Sequence, residues 1–520
     1  MMRVCSPKVA AFVVTLLASA AFAADQRAGQ PVFTHGVASG DVTSTSAILW
    51  TKVDRATSVK LEIWDNPSLS GAKAFQATEP RASDTNDFTV KIEATGLSAG
   101  TTYYYRFRHG DQAGDSVSPV GTFKTAPDPG AAANVRFTFT GDSDGTRVGS
   151  QPAFNNFEVL NAARLENADF FVYLGDTIYG DSAFRPSPAV TVEDYHAAYK
   201  LNRAYPNLTN LLESTSTYAL ADDHEVVDNY AGQTVDPLRY RAGIAAFRHY
   251  LPVRDTGLPF DSSCAGQPMF KVFHRGSLVD VIVLDERSCR SADVAALCAG
   301  DLVPTLPAAV RVQFGFPPSP RTGCLAAIDD PTRTLLGAVQ KQAFKDALVN
   351  STAKFKFILN EDPIQQFWAL PYDRWEGYGA ERREILDFIR DPDANPATPD
   401  SIGGVIFLTT DIHATLVNEV FKDRFTSPGT IAQEVVTGPI AAVTYQQEVA
   451  GFGGAGLVAK LQAALTLAGV DCRNLNQNSY AVIDVDAASG TATVTIKDQN
   501  GLPALNQVSP FGACAKTFGQ

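Results

Sequence analysis

Residues 135–144, VRFTFTGDSD, and 169–181, DFFVYLGDTIYGD, each run as an apolar β-type stretch that stops on an aspartate, Asp142 in the first and Asp176 in the second. Three later stretches finish on acids in the same way: 277–286 (SLVDVIVLDE), 354–362 (KFKFILNED) and 403–411 (GGVIFLTTD). Runs of this kind belong to strands buried on both faces. Between them lie segments of helical period, RTLLGAVQKQAFKDALVN and GAERREILDFIRD. Strands ending in polar residues and separated by helices predict a layered α/β domain over residues 135–500, with its site at the strand ends. NSYAVIDVDAASGTATVTIKD reads as a β-hairpin that closes the second sheet, and residues 501–520 as a C-terminal tail.

Upstream the texture is different. Residues 31–128 alternate short β-type runs with turn residues, and a linker, APDPGAAAN, follows. This predicts a small β-sandwich. In GLSAGTTYYYRFR the tyrosine run sits as in fibronectin-type or immunoglobulin-like domains, where a buried tyrosine hydroxyl bonds back to a corner. Residues 1–23 carry Arg3 and Lys8, an apolar run and a small-x-small ending at Ala21 to Ala23, which reads as a signal peptide. No later segment reads as long enough to span a membrane. The expected location is therefore secreted or periplasmic, and the expected state a soluble monomer. Six cysteines follow the leader, an even set suited to disulfides. Spacing leaves the connectivity open; the pairings expected are Cys289 with Cys298 and Cys472 with Cys514.

The chain has 520 residues and a net charge of −13, so a basic nucleic-acid footprint is absent. A protein this acidic needs local positive charge to hold an anionic substrate, and bound cations supply it. The acids at the strand ends are candidates to hold them. Asp142 and Asp144 stand two apart, as do Asp411 and His413, which in an extended chain puts both donors of each pair on one side. Asp176 and Tyr179 can meet across one turn. Asp223 in ADDHEVVDN is followed at once by His224, which then points away from a metal that Asp223 faces. Several carboxylates in one cleft cannot all stay ionised without cations between them. With few histidines, the site is oxygen-rich and suits Ca²⁺, Mn²⁺ or Fe³⁺ better than zinc.

In order along the chain, FTHGVASGDVTSTSAILWTKV, GDTIYGD, DDHEV, LDERSCR, LLGAVQKQAF, RWEGYGAERR and LTTDIH resemble the signatures of the alkaline phosphatase D (PhoD-like) family of metallophosphoesterases, whose site is related to that of purple acid phosphatases. The resemblance implies an α/β/β/α metallophosphoesterase sandwich behind a fibronectin/immunoglobulin-like domain. It implies a two-metal centre, Ca²⁺ with Fe³⁺ or Mn²⁺, bridged by Asp176. Tyr179, Asp223, Asp411 and His413 are the other implied ligands, and Asn360 or Glu361 completes the second ion's shell. His224 is implied to contact the phosphoryl group and Arg287 to lie near it. Asp142 stands where the family carries an iron-binding cysteine, with Asp144 in a histidine's place; a hard ligand for a soft one favours harder or more exchangeable ions than iron.

The expected reaction is hydrolysis of phosphomonoesters or phosphodiesters of small-molecule substrates by in-line attack of a metal-bound hydroxide, with His224 as acid. Two alternatives are a phospholipase D-type phosphodiesterase acting on phospholipids and a calcium-stabilised binding module without catalysis. A Gly-x-Ser-x-Gly elbow is absent. GFGGAG at 451–456 lacks the ending of a phosphate loop and reads as a flexible loop.

Overall fold

The computed structural model describes residues 32–79, 82–110, 115–369, 371–393, 400–509 and 511–519. The signal peptide expected at 1–23 lies outside them. The apolar runs form the centres of two sheets. In the nine-stranded sheet Val135–Thr140, Phe170–Leu174 and Ser216–Leu220 are parallel neighbours, and Ser479–Asp486 joins antiparallel to the first. In the seven-stranded sheet Val279–Val283, Phe355–Leu359 and Val405–Thr409 run parallel, followed by Ser427–Val436.

Alternate residues of these strands serve different layers, which is why the runs are apolar throughout. Phe137, Val172, Leu174 and Leu220 of one sheet and Val281, Phe357, Leu359 and Leu408 of the other bury into the core between the sheets. Phe137 stacks on Phe170 at 4.6 Å and meets Phe357 edge-on at 5.1 Å. The opposite faces take helices. Phe171, Tyr173 and Ala219 pack under Val192–Arg203, Pro206–Ser214 and Pro237–Tyr250. Ile282, Ile358 and Phe407 pack under Gly337–Asn350 and Gly379–Arg390. The result is an α/β/β/α sandwich.

The N-terminal β-sandwich has its own core, with Leu49, Leu61, Tyr105 and Phe107 among its members. Tyr103 makes the corner: its hydroxyl accepts the Ser98 backbone N–H at 2.9 Å and its ring stacks on Phe123. The sandwich is not a separate bead, however. Phe33–Gly40, Ser46–Val53 and Thr89–Thr95 extend the nine-stranded sheet, because Ser39 and Gly40 pair in parallel with Ser216 and Thr217. Gly40 is needed there, since a Cβ would lie 2.5 Å from the Pro252 carbonyl oxygen and 2.6 Å from that of Thr217.

Four sequence expectations change. The segment read as a C-terminal tail from residue 501 carries an edge strand, Ala515–Phe518, on Thr491–Asp498. The bridges are Cys264–Cys289, Cys298–Cys324 and Cys472–Cys514, so the pairing of Cys289 with Cys298 is corrected and that of Cys472 with Cys514 is present. The GFGGAG segment is part of a helical stretch, Tyr445–Ala468, broken at Gly453 and Gly454. That stretch is also long and apolar enough to cross a membrane by length and composition, against the expectation that no later segment would be, although the break interrupts it.

Candidate metal centre

At the strand ends the backbone leaves the extended region. Asp142, Asp176, Asp411 and His413 have φ of 63°, 46°, 63° and 52°. Aspartate tolerates this left-handed conformation better than most residues, but four such residues at one rim is the pattern of a functional site that its surroundings hold in place. It also cancels the two-residue periodicity expected for each pair. Asp144 turns off to accept the Thr146 N–H at 2.8 Å and the Ser182 hydroxyl at 2.6 Å. Its carboxylate is thereby satisfied apart from the acids that converge. Asp411 and His413 likewise part company.

Two donor sets form. Asp142, Asp176 and His413 each offer an atom within 4.8 Å of one another, and so do Asp176, Asp223 and His224. Asp176 belongs to both. Gly175, at φ 75°, allows the close approach behind it, because a Cβ there would lie 2.8 Å from that of Asp222. Tyr179 donates to or accepts from His413 Nε2 at 2.8 Å and stacks on His224 with centroids 4.0 Å apart.

The site residues are almost wholly buried, and their electrostatics are unbalanced. Burial, then Asp222, pushes the Asp142 carboxyl well above the usual range; burial, then Asp223, does the same to Asp176. Burial, with His224 nearby, lowers His413 to about 4, so its ring is neutral and free to ligate. Asp142 Oδ2, Asp223 Oδ1 and His413 Nδ1 are buried without a hydrogen-bond partner. Buried polar atoms are normally paired. Asp142 and His413 belong to one donor set and Asp223 to the other, so each set carries a buried atom without a partner, and these residues fit a metal pair.

His224 differs from its neighbours. Its Nδ1 is 2.5 Å from Asp181 Oδ1, and its Nε2 is 4.0 Å from both Asp176 and Asp223. Burial opposes a charged ring, but Asp223 and Asp181 outweigh it and hold the imidazolium up to about 10. Asp181 also accepts the Asp228 N–H at 2.6 Å.

Arg287 sits behind the donors, fully buried. Its Nε donates to Asp222 at 2.6 Å, and its terminal nitrogens reach Asp373 at 3.0 Å, Asp362 at 3.3 Å and Asp411 at 3.4 Å. Arg290 adds ion pairs to Asp362 and Asp373. Asp411, expected as a ligand, gathers with Asp362 and Asp373 in a third set of donors rather than with His413, and these arginines lie beside that set; its own N–H donates to Asp142. Asn360 is spent too, accepting from Trp375 Nε1 at 3.0 Å and donating to the Asp362 carbonyl and Thr409. Glu361 accepts the Glu286 N–H with one oxygen and leaves the other unpaired.

Sequence reasoning gave no role to Asp181 and Asp373, and it read Asp222 and Glu225 only as members of the acidic motif ADDHEVVDN. Glu225 accepts from the Thr177 and Asp222 N–H groups and so ties two strand ends together. Asp181 had a visible signal, as the second acid of GDTIYGD. Asp373 had none, for its role exists only across the fold.

The layered sandwich and the shared-carboxylate site define the metallophosphoesterase class of architecture. Solved structures agree on the fold: "Structure of PhoD" aligns with a TM-score of 0.71 at 23% identity, covering 94% of this chain and 90% of that one. A purple acid phosphatase from yellow lupin seeds aligns with a TM-score of 0.55 at 10% identity, covering 94% and 74%. The PhoD-like phosphatase family model matches residues 146–495 and that family's N-terminal domain model matches 18–127, and the chain belongs to the PhoD-like phosphatase family. Alkaline phosphatase D of Bacillus subtilis (strain 168) is 28% identical over 435 residues, 75% of this chain and 66% of that protein's length.

Proposed function

We propose that the chain is a metal-dependent phosphoric ester hydrolase acting on phosphomonoesters or phosphodiesters of small molecules. The observation that carries this reading is Asp176, one carboxylate shared by two donor sets. Asp176 would bridge two cations, Asp142 and His413 would complete one shell with Tyr179 beside it, and Asp223 would hold the other. Cations bound there would supply positive charge to the phosphoryl oxygens and acidify a water. An all-oxygen-and-imidazole shell suits calcium with manganese or ferric iron.

The chain's own residues supply the rest. Asp181 fixes the His224 ring through Nδ1, and the Tyr179 ring lies against its face. His224 therefore keeps its proton on Nε2, beside the donors, and can release it to the departing oxygen. Arg287 has no nitrogen to spare for a phosphate; it positions the carboxylates instead. Three disulfides fit an extracytoplasmic compartment, and we take the protein to be secreted or periplasmic and monomeric.

The test is hydrolysis of aryl phosphate and bis-aryl phosphate with cations, after chelation, and by His224→Ala. Turnover should need cations and fall by about 10²–10⁴ in the variant. Undiminished turnover after chelation and in His224→Ala would sink the proposal, as would no turnover of either ester with cations present.

A further inference from the structure

Next to the metal centre is an apolar cavity of about 360 Å³. Two segments outside the sheets build it. One is the excursion 299–323, closed at its base by Cys298–Cys324, which contributes Leu302, Val303, Leu306 and Phe316. Arg311, buried on the excursion, fastens it by donating to Asp301 at 2.6 Å and to the Pro317 carbonyl at 2.7 Å. The other is the broken helix Tyr445–Ala468, which contributes Val449, Leu457 and Leu461. Gly454, at φ 64° and ψ −168°, holds a conformation open to glycine alone, and the break leaves Phe452 three-quarters exposed at the lining. Among the described lining residues Lys460 alone is charged, and its ammonium lies over the Phe316 ring.

The cavity and the centre share a wall. The Tyr445 N–H donates to the His413 carbonyl at 3.0 Å, and Tyr445 lines the cavity. Glu448, one turn on, is close enough to His224 and Asp228 to feel their charges. Ile412 and Ala414, which flank His413, belong to the same apolar cluster as Val303 and Leu461. One helical turn rises about 5.4 Å, so a group leaving the metal centre along this helix meets apolar walls within about 10 Å.

We propose that this cavity is the subsite for an aliphatic chain carried by the phosphate ester, so that the substrate is an amphiphile whose polar phosphate meets the carboxylates while its chain enters the pocket. The inference rests on the phosphoesterase reading above. A cleft of this size with almost no polar lining selects for hydrocarbon. Two chain segments that the sandwich core does not require are folded and fastened to make it.

The experiment uses the full chain with cations and a series of 4-nitrophenyl alkyl phosphates, methyl, butyl and octyl, below their micelle concentrations. Full transfer of a methylene is worth about fourfold, so kcat/KM should rise at least tenfold from methyl to octyl. Leu457→Trp at the half-buried rim and Ala464→Leu on the wall should flatten the series and leave the methyl ester unchanged. A flat series in the parent protein, with the methyl ester turned over, overturns the subsite and leaves the phosphoesterase reading standing. If no ester is turned over, that reading falls and the cavity is judged by octyl phosphate displacing anilinonaphthalene sulfonate. Displacement that Leu457→Trp abolishes supports the subsite, and absence of displacement overturns it.

Discussion

Replacing Asp176 by asparagine should change the sign of its effect on stability with the cation supply. Asp176 offers an oxygen within 4.8 Å of one from Asp142 and of one from Asp223. At that distance and an effective dielectric of about 20, each ionised pair repels by about 3.5 kcal/mol. The cation-free protein evades part of this by taking up protons, since burial and neighbouring carboxylates already push Asp142 and Asp176 well above the usual range. Neutralising the shared group should therefore stabilise the chelated protein by about 3 kcal/mol, the scale of one repulsion removed. With cations at a hundred times their dissociation constant, the parent gains about 2.7 kcal/mol per site, and the variant, lacking the group common to both sets, gains little. Urea unfolding at pH 8, in chelator and in calcium or manganese, reads both terms, and elemental analysis counts the ions. A variant less stable than the parent in chelator and equally responsive to cations would refute the shared-carboxylate argument.

Arg287→Met strips the cation from a nest of buried carboxylates and should cost about 3–5 kcal/mol in chemical denaturation. Tyr103→Phe removes the corner bond to Ser98 and should cost about 1 kcal/mol by the same measurement, without changing turnover. At the junction of the two β units, burial and then nearby cationic groups lower both His35 and His249 to about 4, well below the ordinary 6.5. The folded form then binds fewer protons than the unfolded chain between those values, so their contribution is whole above pH 6.5 and is lost as pH falls towards 4. Melting temperatures across that window should drop, and His249→Gln should flatten the slope.

The strands were legible because their apolar runs are continuous, and the corner because Tyr103 follows its turn at a fixed offset. The acids at the strand ends were legible as a group for the same reason. What was hidden depends on backbone bends or distant partners. Asp144 was expected beside Asp142, but φ of 63° at Asp142 ends the alternation that would have put them together. Asp411 was expected to share a side with His413, but its carboxylate gathers with Asp362 and Asp373 and reaches Arg287, far away in sequence. Cys264, Cys289, Cys298 and Cys324 allow three pairings that spacing does not decide, and the path of the excursion does. GFGGAG read as a loop because its composition breaks helices; it does break one, inside a longer helical stretch.

The parallel pairing of Ser39 and Gly40 with Ser216 and Thr217 sets a schedule on biosynthesis. The first strands to be made can form their own hairpins at once, but the seam that joins them to the larger sheet has no partner until the chain has been extended into its second unit, past Leu220. Until then Phe33–Gly40 presents a bare edge, the kind of surface on which chains of the same sequence adhere to one another. The β-sandwich from residue 32 to 128 therefore cannot be trimmed or exchanged like a bolted-on module. Cutting it away would expose the other side of the same seam, along Ser216–Leu220.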